Sequence, residues 1–270
     1  MNSPILSRCL HAIALMTWGS VTLYFYLSDR LTKYLAPEFL PISFAGGLAM
    51  IVIGLFVLLT ARQSTECGHD HGPEDTHDHE SLDIHPIGAT LIMMVPLLLS
   101  TAWTQDRFTE ATLNRKGLQD SPSRARSLVT GLQPLTREMI ERQYPKNENG
   151  YRPFPLMELF FTSADPETRA LVEGMSVVTE GRMVIDTAKP LTRRRLYRLF
   201  VTCCAADSRP IPIIAEFTKS KPPDIEENSW MTLSGTVSFP DEGDGPIPVI
   251  RVESAEQTEA PFQESFMRGY

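Results

Sequence analysis

Between Phe39 and Ala61 the chain runs for twenty-three residues without a formal charge, and this constrains its fold more than any other stretch. The hydrocarbon core of a bilayer is about 30 Å thick and needs about 20 such residues in a helix. The run is apolar on every side from Ile42 to Leu59, whereas a helix in a soluble core of this length normally keeps a polar face. Gly46, Gly47 and Gly54 allow another helix to approach closely. Two further uncharged runs, Cys9–Ser28 and Pro86–Gln105, are of spanning length. A cleaved signal peptide is the rival reading of the first, but Trp18, Tyr24, Phe25 and Tyr26 stand where small residues would be cut, and they suit an interfacial belt. Pro86 falls in the first turn of the third run and Pro96 in its middle, which predicts a kink. Three spans, and a multi-pass protein of the cell membrane, are therefore expected. The basic residues near the run ends lean towards a cytoplasmic C-terminal region by a small margin, so the orientation stays open.

Between the second and third runs lies Cys67-Gly68-His69-Asp70-His71, continuing through His77 and His79 to His85. Five of the chain's six histidines fall here, interleaved with acidic residues. Imidazole, carboxylate and thiolate form the ligand set of zinc or another divalent transition metal. Cys67, His69, His71, His77, His79 and His85 are thus candidate ligands, against the plain alternative of a hydrophilic loop that happens to be histidine-rich. Gly68, Gly72 and Pro73 make a closed cage improbable, which points to capture or relay. His11 reads as an interfacial or packing residue.

Charge narrows the partners. Twenty-five basic against 33 acidic side chains leave a net charge of -8, and no basic stripe with interleaved aromatics is present, so nucleic acid is not expected. The four cysteines, at 9, 67, 203 and 204, do not form a disulfide framework, since one lies in an apolar run and two are adjacent.

The chain divides into a transmembrane region, 1–105, carrying the histidine loop at 66–85; a linker, 106–155; and a β domain, 156–270. The linker is interrupted by glycine and proline, with a short amphipathic helix predicted within Leu128–Tyr144. Predicted strands are Gly174–Ile185, Arg195–Cys204, Ile211–Phe217, Trp230–Phe239 and Ile247–Val252, with an extra strand at Met157–Phe161 and a short helix at Pro166–Leu171. Five short strands with internal glycines suggest a small OB-like barrel, and a two-sheet sandwich is the competing architecture. The fold class is thus α+β: N-terminal transmembrane helices followed by a small all-β domain.

Within that domain Cys203, Cys204 and Asp207 lie where a strand runs out. Successive strand side chains point to opposite faces, so one thiol is expected in the core and one exposed beside Asp207. A paired-thiol reagent site, or a thiophilic ion site with Cys203, Cys204 and Asp207 as ligands, is the functional reading; a buried cysteine and an Asp207 turn cap are the plain ones. Arg193, Arg194, Arg195 and Arg198 read as a solvated strand edge, and Trp230 as a core or barrel-end aromatic.

Taken in order, the spans, the loop Cys67-Gly68-His69-Asp70-His71, and the segment Phe200-Val201-Thr202-Cys203-Cys204-Ala205-Ala206-Asp207 followed by Trp230 and Gly235 resemble the YcgQ-like bacterial membrane proteins, a group regarded as permease subunits. The resemblance runs over most of the chain and weakens between about Arg107 and Phe154. It implies a larger multi-pass permease-like partner and a part in transition-metal handling, and supplies no catalytic residues. An accessory subunit of a metal permease is the expectation; a membrane-anchored OB-like binding or scaffold module is the alternative. Enzymatic activity is not expected, because no histidine follows His85 to serve a thiol nucleophile as base.

Overall fold

A computed structural model describes residues 4–61, 86–103, 113, 115–118, 135–185, 192–217, 228–241, 243 and 245–267. The chain forms two compact units, Met1–Asp106 and Arg107–Tyr270.

The first unit is helical: α1 (Pro4–Leu27), α2 (Leu40–Thr60) and α3 (Pro86–Trp103). Two stretches, Ile5–Leu27 and Pro37–Thr60, are long and apolar enough to cross a membrane. The described apolar stretch of α3, Ile87–Leu99, rises only about 20 Å at 1.5 Å per residue. Among the described residues, then, two stretches of spanning length replace the three expected. Both leave large apolar side chains uncovered, among them Ile13, Tyr24, Val52, Phe56 and Leu59. Pro86 and Pro96 lie at the start and inside α3.

Glycine sets the distance between α1 and α2. A Cβ on Gly54 would come within 2.9 Å of the Ala12 carbonyl oxygen, and one on Gly19 within 2.6 Å of the Gly47 carbonyl oxygen. Gly46 faces open space, so of the three glycines read as contact points only Gly47 and Gly54 serve. The partner contact at Gly19 was missed because a single glycine in a mixed-polarity run carries no packing signal.

The second unit holds α4 (Arg137–Gln143), β1 (Arg152–Pro153), α5 (Leu156–Thr162), α6 (Pro166–Val172), β2 (Ser176–Val184), β3 (Arg193–Val201), β4 (Arg209–Glu216), β5 (Trp230–Ser238), β6 (Val249–Gln257) and β7 (Phe266–Met267). Five strands close in the order β2-β5-β6-β4-β3, with β3 pairing back onto β2. All these pairings are antiparallel except β4 with β6. That is the OB-type barrel expected from the spacing of the strands, and the sandwich is excluded because the sheet has no free edge between β2 and β3.

The run Met157–Phe161, predicted as a strand, is helical. Leu156, Met157, Leu159, Phe160 and Phe161 are all buried, and a short uninterrupted apolar run does not by itself distinguish a buried strand from a buried helix. As α5 it packs on β2, β3 and β4, with the Phe161 and Phe200 rings edge to face at 5.5 Å. In α6 the Asp165 carboxylate accepts the Thr168 amide at 2.9 Å, capping the predicted helix. Within the segment read as a linker, Ile140 of α4 and Phe154 are buried in the barrel unit's core. The part of the predicted amphipathic helix before residue 135 lies outside the described residues.

Candidate functional site

Strand β3 ends at Val201 because the chain must bend there to return as β4, whose Arg209 pairs with Phe200. Residues 202–208 make the bend, with a single 3-10 turn at Ala205–Asp207. Asp207 organises it. Its carboxylate accepts the backbone N–H groups of Thr202 at 2.9 Å and Cys203 at 2.7 Å, and that of Cys204 at 3.4 Å. From the other side the Lys116 ammonium donates to the carbonyls of Ala206 at 2.8 Å and Ser208 at 2.7 Å. Donors and acceptors that a tight bend would leave unmatched are thus supplied by two side chains.

Because the strand has already ended, its alternation no longer applies to the two thiols. Cys203 and Cys204 lie with their Sγ atoms 3.8 Å apart, both free and both half-buried. The expected division, one thiol in the core and one outside, is corrected on this point. Core packing claims Leu199, Phe200 and Val201 instead.

The electrostatics of the bend hold a proton on Cys203 in the ion-free protein. Hydrogen bonding to the Asp207 carboxylate, with a smaller contribution from Cys204, pushes the Cys203 thiol up to about 12. Burial pushes Asp207 up, but the Cys203 thiol and the three backbone N–H groups outweigh it and hold the carboxylate below its usual range. The signs follow. Asp207, depressed in the fold, stabilises the bend above the pKa of a free carboxylate, and that support is lost as pH falls through the depressed value. Cys203, raised, stabilises it below the pKa of a free thiol, and that support is lost as pH climbs towards 12. Alkylation of Cys203, followed by peptide mass spectrometry, is therefore expected to be slow at pH 8 and still accelerating above pH 10. Asp207→Asn should raise the rate at pH 8 by about tenfold or more, since the thiolate is the reactive form. Equal rates in the two proteins would show that the carboxylate does not hold the proton.

The remaining candidates fall differently. Cys67, His69, His71, His77, His79 and His85 lie outside the described residues. Among the described residues no three His, Cys, Asp or Glu side chains converge as a metal cage. Asp207, expected with the cysteines as a ligand, instead accepts three backbone N–H groups and the Cys203 thiol.

Arg198, expected on a solvated edge, is largely enclosed. Its guanidinium sits 5.2 Å from the Trp230 ring centroid, with Arg182 at 5.8 Å from the same ring. The Trp230 indole donates to Glu180 at 3.3 Å, and Arg198 pairs with Glu180 at 3.4 Å. Trp230 itself is buried, as expected of a core aromatic, and the cluster is structural. Sequence reading missed Lys116 and Arg182, whose partners lie 92 and 82 residues away.

A concavity of about 580 Å³ opens where β3, β4 and β6 meet the end of β5, lined by Glu173, Arg193, Glu216, Phe239, Pro240 and Arg251. Its charges are matched internally: Arg193 and Glu216 lie 2.9 Å apart, and the Glu173 carboxylate accepts the Phe239 amide.

Two family models match the chain: the DUF1980 N-terminal domain over residues 10–119 and the DUF1980 C-terminal domain over residues 172–265. No curated protein matches it.

Proposed function

We propose, from the premise that this chain belongs to the DUF1980 family and carries both of its domains in order, that it is a membrane-anchored accessory subunit of a multi-pass permease-like protein and handles a zinc-like divalent ion as cargo. The observation that carries the reading is the pair of side-by-side thiols on the Asp207-pinned bend. Apolar side chains left uncovered on α1, α2 and α3 support a multi-pass anchor, since lipid would cover them.

In this scheme His69, His71, His77, His79, His85 and Cys67 gather the ion at the membrane surface, and the barrel docks the partner or takes the ion at Cys203 and Cys204. Imidazoles and carboxylates on a glycine-containing loop suit an ion that must be released, because a closed tetrahedral site would retain it. No catalytic step is assigned to any residue.

The experiment is a metal determination on the full chain purified in detergent, intact and with the five loop histidines replaced by alanine. The intact protein is expected to retain zinc through desalting, and the variant to lose most of it. Equal occupancy of the two would remove the loop from the scheme. The concavity beside Arg193 and Glu216 favours a second reading, an OB-like module that binds a protein or small ligand without metal. A partner captured equally well after chelation and after deletion of residues 66–85 would establish that instead.

A further inference from the structure

We infer that Cys203 and Cys204 form a two-sulfur claw that takes adjacent vertices of a tetrahedrally coordinated, zinc-class divalent cation and leaves the other two vertices to ligands from outside the β domain. The inference rests on the metal-cargo reading above and specifies where in the chain the ion is held and how.

The geometry sets the ion's coordination. Zinc–thiolate bonds of about 2.3 Å in a regular tetrahedron place neighbouring sulfurs about 3.8 Å apart. The Cys203 and Cys204 sulfurs stand at 3.8 Å without an ion between them. The same 3.8 Å is an ordinary thiol–thiol contact; a tetrahedral ion can be seated without parting the sulfurs, whereas a linear two-sulfur site with bonds of that length would need about 4.6 Å and would force them apart.

Adjacent cysteines do not ordinarily share a face, and this pair does so because the bend is held by groups other than the thiols. The Asp207 carboxylate holds the amides of both cysteines, and Lys116 holds the carbonyls beyond them. Asp207 is therefore a positioning residue rather than a third ligand. Both cysteines are half-buried, and among the described residues no His, Cys, Asp or Glu completes the pair to a group of three that could hold an ion, Asp207 being engaged by three backbone N–H groups. A closed structural zinc site uses four protein ligands, whereas an open one exchanges them. Two open vertices let a donor's ligands enter before an acceptor's leave. On loading, each thiol releases its proton to solvent as its sulfur–metal bond forms, and no electron moves.

Cobalt(II) separates this site from the histidine loop, because only thiolate ligands produce the intense near-ultraviolet charge-transfer band. The full chain, in detergent and with a non-thiol reductant, is titrated with cobalt as wild type, as Cys67→Ser, with the five loop histidines replaced by alanine, and as Cys203→Ser/Cys204→Ser. The band is expected in the first three and lost in the last, with visible bands of tetrahedral intensity accompanying it. Each single variant, Cys203→Ser or Cys204→Ser, should weaken the band without changing the far-ultraviolet circular dichroism, which separates loss of a ligand from loss of the fold. A band that survives in the double variant, or that never appears in wild type, overturns the claw. The loop fails separately: unchanged total metal content after the five histidine replacements would remove it while leaving a thiolate band intact.

Discussion

Gly235→Ala is expected to destabilise the barrel by about 3 kcal/mol, the upper end of ordinary overpacking. A Cβ built on Gly235 would lie 2.1 Å from the Arg251 carbonyl oxygen and 2.9 Å from the Ile250 Cγ2 atom. The first of these is backbone in the paired strand β6, so no rotamer change relieves it. The register between β5 and β6 shifts at Ser234/Gly235, and this bulge is where the two strands turn tightly enough to let the barrel close. The substituted chain must therefore open the β5–β6 ladder or move β6, and β6 also carries the parallel pairing to β4 that completes the ring. Urea or thermal unfolding of the full chain in detergent, in a Trp18→Phe/Trp103→Phe background that leaves Trp230 as the fluorophore, measures the effect. A loss of this size lowers the midpoint by on the order of 10 °C. Gly46→Ala is the control, since a Cβ there meets nothing within 4 Å. An unchanged midpoint for Gly235→Ala would mean that β6 yields without cost and that the bulge does not hold the closure.

Glu264→Ala should have a comparable effect, about 3 kcal/mol, by taking the bidentate carboxylate away from a buried guanidinium. Arg182 is only 9% exposed, and its Nε and Nη2 atoms donate to the two Glu264 carboxylate oxygens at 2.8 Å each. The pair also anchors the C-terminal segment across the barrel. Arg198 donates to the carbonyls of Gln263 and Glu264, β7 pairs with the end of β3, and the Phe266 ring stacks on Phe200 at 6.3 Å. Removing the carboxylate takes two charge-assisted hydrogen bonds from the buried Arg182 guanidinium, whose other contacts include the Asn228 carbonyl and the Trp230 ring. The segment after Phe262 is then expected to become the first site of proteolytic cleavage. A double-mutant cycle with Arg182→Met isolates the pair, because the methionine occupies similar space without a charge to strand. If Glu264→Ala unfolds at the wild-type midpoint and resists protease equally, the segment is held by β7, Phe266 and the Arg198 hydrogen bonds without help from the Arg182–Glu264 pair.

Both predictions depend on contacts between residues far apart in the chain, and this marks where sequence reading stops. The five barrel strands were legible because Met231, Leu233, Gly235, Val237 and their like alternate with a period of two, and a half-buried strand imposes that pattern locally. Helix α5 was not legible, because Leu156–Phe161 is apolar throughout and the same residues suit a strand or a helix once both are buried. Arg198 reads as exposed on charge alone. Only the packing of Trp230, Glu180 and the C-terminal segment around it makes an enclosed site for a cation, and each of those partners comes from a different part of the chain.

The amino-acid sequence by itself determined that the N-terminal third forms apolar helices, that the C-terminal part forms a barrel of short strands, and that cysteine and aspartate cluster at a strand end. These follow from hydrophobic period, run length and turn chemistry, which act over a few residues at a time. Tertiary structure alone decided that the two thiols lie side by side at 3.8 Å, that Asp207 pins the backbone of the bend, and that Lys116 closes it. Sulfur spacing depends on how strand β3 ends, and that ending is set by hydrogen bonds to a carboxylate four residues on and an ammonium about 90 residues earlier, a relation no local pattern encodes.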